Sequence, residues 1–287
     1  MPNETVSGAA VAGMVFTVCA SIFLPVAAAL FFKRKTQGRI SCAFIGACIF
    51  ILAVLVQVLA GKTLGAVIPA FGETLRKNYW LLALYGGMSA GLFEEAGRFL
   101  AMRFLMKKTL SKENAVMYGI GHGGIEAVLV VGVTYIINLV ISGMINLGKM
   151  DAFLSGLNEP LKNQISALSS TLLTMPAGLF YTAGIERIAA LAFHICMSYL
   201  VYRAIRDKKA AYFLAAAALH FLFDAGSLIL AKNVPVYAVE AVLTAAAVCI
   251  AAFTYRKYKR ESPYQSHCEP AEKKTEDASG GIGNVRL

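Results

Sequence analysis

Long apolar runs separated by short polar clusters set the pattern of this chain. A spanning helix needs about 20 mostly apolar residues. Seven stretches meet that requirement, at residues 8–32, 40–60, 79–106, 115–147, 177–202, 211–231 and 234–255. The pattern predicts an all-α polytopic transmembrane bundle of about seven spans, with residues 1–255 as its integral membrane domain. The first run is longer than a signal peptide's apolar core and no basic residue precedes it, so it reads as an uncleaved span. Leu154, Leu157, Leu161, Ile165, Leu168 and Leu172 recur at helical spacing among polar residues. That spacing predicts an amphipathic external helix over about 150–175, lying on the outer leaflet. Residues 62–77 contain glycine and are half apolar, which fits a re-entrant or surface segment. Beyond Tyr255 the chain turns polar and carries Pro263, Pro270 and Gly280-Gly281, so 256–287 reads as a disordered cytoplasmic tail.

Composition sharpens this picture. Of 287 residues, 57% are hydrophobic and 15% charged, against about 25% charged in soluble domains. An ordinary cytosolic enzyme is excluded. The net charge of +10 does not signal nucleic acid, because it falls in clusters between apolar runs. Lys33, Arg34, Lys35 and Arg39 follow the first run, and Arg103, Lys107, Lys108 and Lys112 the third. Arg203, Arg206, Lys208 and Lys209 follow the fifth, and Arg256, Lys257, Lys259 and Arg260 the seventh. The opposite loops carry three, two and one basic residues. By the positive-inside rule the N-terminus is outside and the C-terminus cytoplasmic, as expected for a multi-pass plasma-membrane protein. Five of the six cysteines (Cys19, Cys42, Cys48, Cys196 and Cys249) lie inside apolar runs without zinc-type spacing, so they read as small lipid- or core-facing residues.

The predicted spans nevertheless contain Glu94, Glu95, Arg98, His122, Glu126, Glu186, Arg187, His194, His220 and Asp224. A charge at a helix centre costs roughly 2.5–3.5 kcal/mol on insertion scales. Such residues mark a functional site in a protected cavity. Counted from the basic end of each span, Glu94/Glu95, His122, His194 and His220 fall eight to ten residues deep. That is one layer about 13–15 Å from the basic face, near mid-membrane. His122 and Glu126 are four apart and share a helix face, as do His220 and Asp224. Arg98 is placed to pair with one of the two glutamates and hold it ionised. Glycines 119, 121, 123 and 124 around His122 allow close backbone approach. Glu186-Arg187 reads as a structural pair in the outer half of its span.

These motifs resemble those of the YhfC family of intramembrane metalloproteases. The likeness runs over about 79–230, through Glu94-Glu95-Ala96-Gly97-Arg98, His122-Gly-Gly-Ile-Glu126, His194 and His220-Phe-Leu-Phe-Asp224. That family belongs to the wider CPBP group, with the type II CAAX prenyl proteases and the PrsW-type proteases. The first motif has the PrsW spacing, and a glycine stands where the second motif usually has phenylalanine. The resemblance implies a helical membrane core with a polar site buried among its central spans.

The chemistry that follows is peptide hydrolysis in or near the bilayer, on a membrane protein or peptide substrate. Glu94 or Glu95 would activate water. In one version His122, His194 and His220 hold Zn²⁺ while Arg98, Glu126 and Asp224 orient the site. In a metal-free version the imidazoles stabilise the oxyanion directly. The competing classes are a proton-coupled transporter using the same groups as a relay, and a non-catalytic bacteriocin-immunity or scaffold protein.

Overall fold

The structure is a computed structural model and describes residues 5–261. Among these residues it is an all-α bundle. Helix α1 (Gly8–Lys35) and helix α2 (Ile40–Val67) are followed by a short α3 (Pro69–Lys77) and by α4 (Tyr79–Leu100). Then come α5 (Lys112–Asn146), the shorter pair α6 (Met150–Ser155) and α7 (Glu159–Thr174), and finally α8 (Ala177–Arg206), α9 (Ala210–Ala231) and α10 (Val236–Arg260). Six of these, α1, α2, α5, α8, α9 and α10, are long and apolar enough to cross a membrane. Helix α4 is not in that set. It is long enough, but Glu94, Glu95 and Arg98 interrupt its apolar run. The exposed residues of the bundle include Phe44, Leu55, Leu129, Ile137, Leu222 and Val248, a surface suited to acyl chains rather than water. The protein is a multi-pass membrane protein.

Helix α2 continues through Lys62, and α3 is a separate exposed helix begun by Pro69, so 62–77 is helical almost throughout. The external pattern over 150–175 forms two helices. Gly156 ends α6, and Asn158 caps α7 by accepting from the Leu161 amide at 3.1 Å. Leu172 of α7 is buried with Val6, Ala10, Met14, Ile141 and Phe180. These two helices therefore dock on the bundle. The last helix runs past Tyr255 to Arg260, and the expected tail beyond residue 261 lies outside the described residues.

Three helices contain π-helical turns, at Cys19–Phe23 in α1, at Ala101–Leu105 after α4 and at Val128–Gly132 in α5. The last two begin two or three residues after Arg98 and Glu126. In α1, Pro25 cannot donate to the carbonyl one turn back, and the wide turn precedes it. Pro25 then lies against Gly124 of α5, where a side chain would meet it.

Glycine lets the other helices approach. A methyl at Gly121 would collide with the Ala43 backbone of α2, and one at Gly119 would come within 2.6 Å of the Ile195 Cα on α8. Gly123 sits against the side chain of His194. Helix α5 is thus held tightly between α2 and α8 at the level of His122. Gly87 and Gly91 of α4 do the same against α9.

All four basic junctions meet at one end of the bundle. The Arg39 amide donates to Asn114 Oδ1 at 2.8 Å. Arg103, Lys107, Arg206 and Lys208 line one pocket. Lys112 Nζ donates to the Glu261 carbonyl at 2.5 Å. The Glu261 carboxylate accepts from Tyr199 and Tyr202 at 2.6 and 2.9 Å, and pairs with Arg206.

Candidate functional site

Helix α4 carries its charged motif on the face turned inward. Glu95 and Arg98 have no exposed surface, and Glu94 is 6% exposed. The spacing i, i+3 puts Arg98 beside Glu95, and Nη1 of Arg98 donates to Glu95 Oε1. Nη2 of Arg98 donates to Nδ1 of His194 at 3.1 Å. An arginine only donates, so a neutral His194 carries its proton on Nε2. That nitrogen lies against Glu126 Oε2. One guanidinium therefore fixes both a carboxylate and the tautomer of an imidazole.

His122 and Glu126 project from one face of α5. His122 Nε2 donates to Glu94 Oε2 at 2.9 Å, while its Nδ1 is buried without a partner. Phe50 meets the His122 ring edge-on, and Tyr118, one turn earlier, stacks on it. From α9, His220 Nδ1 donates to Glu95 Oε1 at 2.8 Å. Its Nε2 faces Asp224 Oδ2 at 3.5 Å and Glu94 Oε2 at 3.8 Å. Phe193 packs edge-on against both His194 and His220. The three imidazole centroids are 5.1 Å apart for His122–His194 and 5.3 Å for His194–His220.

Every site residue read from the sequence thus joins one contiguous network drawn from α4, α5, α8 and α9, buried except toward Asp224. Within it, one donor atom each from Glu94, His122 and His194 lies within 4.8 Å of the others. His220 is outside that trio, and its Nδ1 is bonded to Glu95. The donor types, one carboxylate and two imidazoles, are those of a catalytic zinc site. His122 Nδ1 and Glu95 Oε2 are buried polar atoms with no partner, as expected where a further group belongs. The residues fit a divalent metal.

The sequence reading set Glu186-Arg187 apart, but the structure connects it. Arg187 Nη1 donates to Glu126 Oε1 at 3.1 Å while the rest of the guanidinium pairs with Glu186. The link crosses between α5 and α8, so spacing within one helix cannot reveal it. Tyr118 belongs to the site as well, and its i−4 relation to His122, which places it on the same face, is the signal that points to it. A cavity of about 110 Å³ lies beside the network, lined by Glu126, Arg187, His194, Asp224, Ser227 and Leu243 among others.

The model of the YhfC intramembrane metalloprotease family matches residues 20–244, a span that includes every group just described. The chain belongs to the YhfC family. It is similar to the uncharacterized membrane protein YhfC of Bacillus subtilis (strain 168), with 32% identity over 232 residues, which is 80% of this chain and 88% of that protein. No solved structure matches. The YhfC family name implies a metal, and the Glu94/His122/His194 trio is a place for one.

Proposed function

We propose that this protein is an intramembrane metalloprotease that hydrolyses peptide bonds of membrane-associated polypeptides. The observation that carries the reading is the trio of Glu94, His122 and His194 from three helices, converging inside a buried network that also holds the acids and cations hydrolysis needs.

Charge supports the metal. Glu94, Glu95, Glu126, Glu186 and Asp224 supply five carboxylates against the two guanidiniums of Arg98 and Arg187. An unbalanced negative charge is costly inside a bundle. A divalent cation and one proton would neutralise the excess. Glu94, His122 and His194 would hold that metal, His194 giving up its contact with either Arg98 or Glu126 to free a ring nitrogen, with zinc favoured by the ligand types. When bound it supplies Lewis acidity and a more acidic water.

The chain's own groups do the rest. Glu95 Oε2, buried and unpartnered, is the acceptor available for a proton of the attacking water. The water oxygen bonds to the scissile carbonyl carbon, the carbon–nitrogen bond breaks, and the proton passes to the departing amine. His220, between Glu95 and Asp224, is the group placed to carry that proton. Arg98 keeps Glu95 and His194 in register, and Glu126, fixed by Arg187, orients His194 from its other side.

The test is metal content and hydrolysis by detergent-purified protein. Zinc near one equivalent that is lost in His122→Ala and in His194→Ala is expected. Cleavage of a transmembrane model peptide is expected to stop with chelator, return with zinc, and be absent in Glu94→Gln. Unchanged metal content in both histidine variants, or full turnover in Glu94→Gln, would overturn the proposal.

A further inference from the structure

The site is not equally enclosed on its two sides. Toward the basic end it is capped by a solid apolar layer. Met102 lies one turn beyond Arg98, Tyr118 one turn before His122, Met197 three residues after His194 and Ala216 four before His220. None of the four has any exposed surface. Met106, Met117 and Val201 thicken the layer and are equally enclosed.

On the opposite side the lining is polar. Glu126 is one turn beyond His122, Asp224 and Ser227 are four and seven residues beyond His220, and Arg187 is seven beyond His194. At 1.5 Å per residue these groups stand about 6–10 Å farther from the basic end than the imidazoles. They line the cavity of about 110 Å³, which has room for several waters. Exposure grows in the same direction: the side chains of Arg98, Glu95 and His122 have none, Glu126 has 16% and Asp224 has 36%. The polar lining continues on α10, where Glu240 Oε2 and Thr244 Oγ1 are buried without partners on either side of Leu243. Ionisable side chains within spanning helices face the bundle interior or a water-filled cavity.

We propose that water and substrate reach the centre from the half of the membrane remote from the basic junctions, through this cavity between α5, α8, α9 and α10. The substrate class is then a polypeptide that presents its scissile bond in that half of the bilayer as an extended, unpaired segment. Polypeptides confined to the basic face are not substrates. This inference rests on the hydrolytic reading for its substrate, but the route itself is independent of turnover.

The experiment is cysteine accessibility in sealed vesicles of both orientations, using a charged, membrane-impermeant thiol reagent. Ser227→Cys is compared with Lys107→Cys, which marks the basic face, and with Met197→Cys in the apolar layer. The unsubstituted chain sets the background from the native cysteines. Ser227→Cys is expected to label only from the face opposite the one that labels Lys107→Cys, with that labelling lost when reagent is confined to the basic face. Met197→Cys is expected to stay unlabelled from both. Labelling of Ser227→Cys from the basic face, or from neither face, would overturn the route. Preserved one-sided labelling in a protein that hydrolyses no peptide would instead defeat the protease reading and leave the route standing.

Discussion

Replacing Arg98 by methionine removes a fully enclosed guanidinium and leaves Glu95, equally enclosed, with His220 as its sole partner. Breaking a buried ion pair from one side costs about 3–5 kcal/mol, because the remaining charge has neither water nor a counter-ion. Glu95→Gln strands Arg98 in the same way and is expected to cost a similar amount. The double variant removes both charges, so it is expected to cost no more than either single change, a coupling of about 3 kcal/mol. At roughly 2 °C per kcal/mol for a chain of this size, each single variant melts about 6–10 °C below the parent. The assay is thermal unfolding in detergent with chelator present, followed by a fluorogenic thiol reagent. Cys42 and Cys196 are buried between helices and react when the bundle opens. Strictly additive costs, or an Arg98→Met protein that melts with the parent, would refute the assignment of Arg98 as the clamp on Glu95.

Other outcomes follow from the same geometry. Gly121→Ala drives a methyl into the Ala43 backbone and is expected to cost about 3 kcal/mol. Gly143→Ala, which has open space around it, is expected to be neutral or stabilising by up to about 1 kcal/mol in the same melting assay. Phe193→Ala, which empties the space between His194, His220 and Phe223, is expected to lose about 3–5 kcal/mol. Glu126→Gln is expected to weaken zinc retention about 10–100-fold in a competition titration against a chelator, because it acts on His194 from outside the trio. Asp224→Asn is expected to keep metal and melting temperature while slowing peptide cleavage about 10–100-fold; unchanged kcat would remove Asp224 from the site.

Hydropathy made the fold class legible, because a chain this poor in charge has few other ways to bury its surface. The site was legible for a narrower reason. Charged residues are so costly in a span that each one is a signal, and their common depth can be counted along antiparallel helices. The pairing of Arg98 with one neighbouring glutamate was legible from its spacing, but which groups touch across helices was not. That Arg98 also reaches His194, and that His220 bonds to Glu95 through Nδ1, depends on how α4, α8 and α9 are rotated about their axes. Periodicity within one helix fixes a face but not its partner. The link from Glu126 to Arg187 was hidden for the same reason. The π-helical turns after Arg98 and Glu126 have no residue signature comparable to the proline in α1. By contrast, the break between α6 and α7 was written in Gly156, Asn158 and Pro160, residues that end one helix and start the next.

The Glu261 carboxylate, gripped by Tyr199, Tyr202 and Arg206 while Lys112 holds its carbonyl, sets a practical boundary for shortened versions of the protein. A chain cut at the lipid boundary, near Tyr255, would leave two buried phenols and a guanidinium without their shared acceptor. Truncations meant to preserve the bundle should therefore stop no earlier than residue 262, and fused tags should be attached only beyond that buckle.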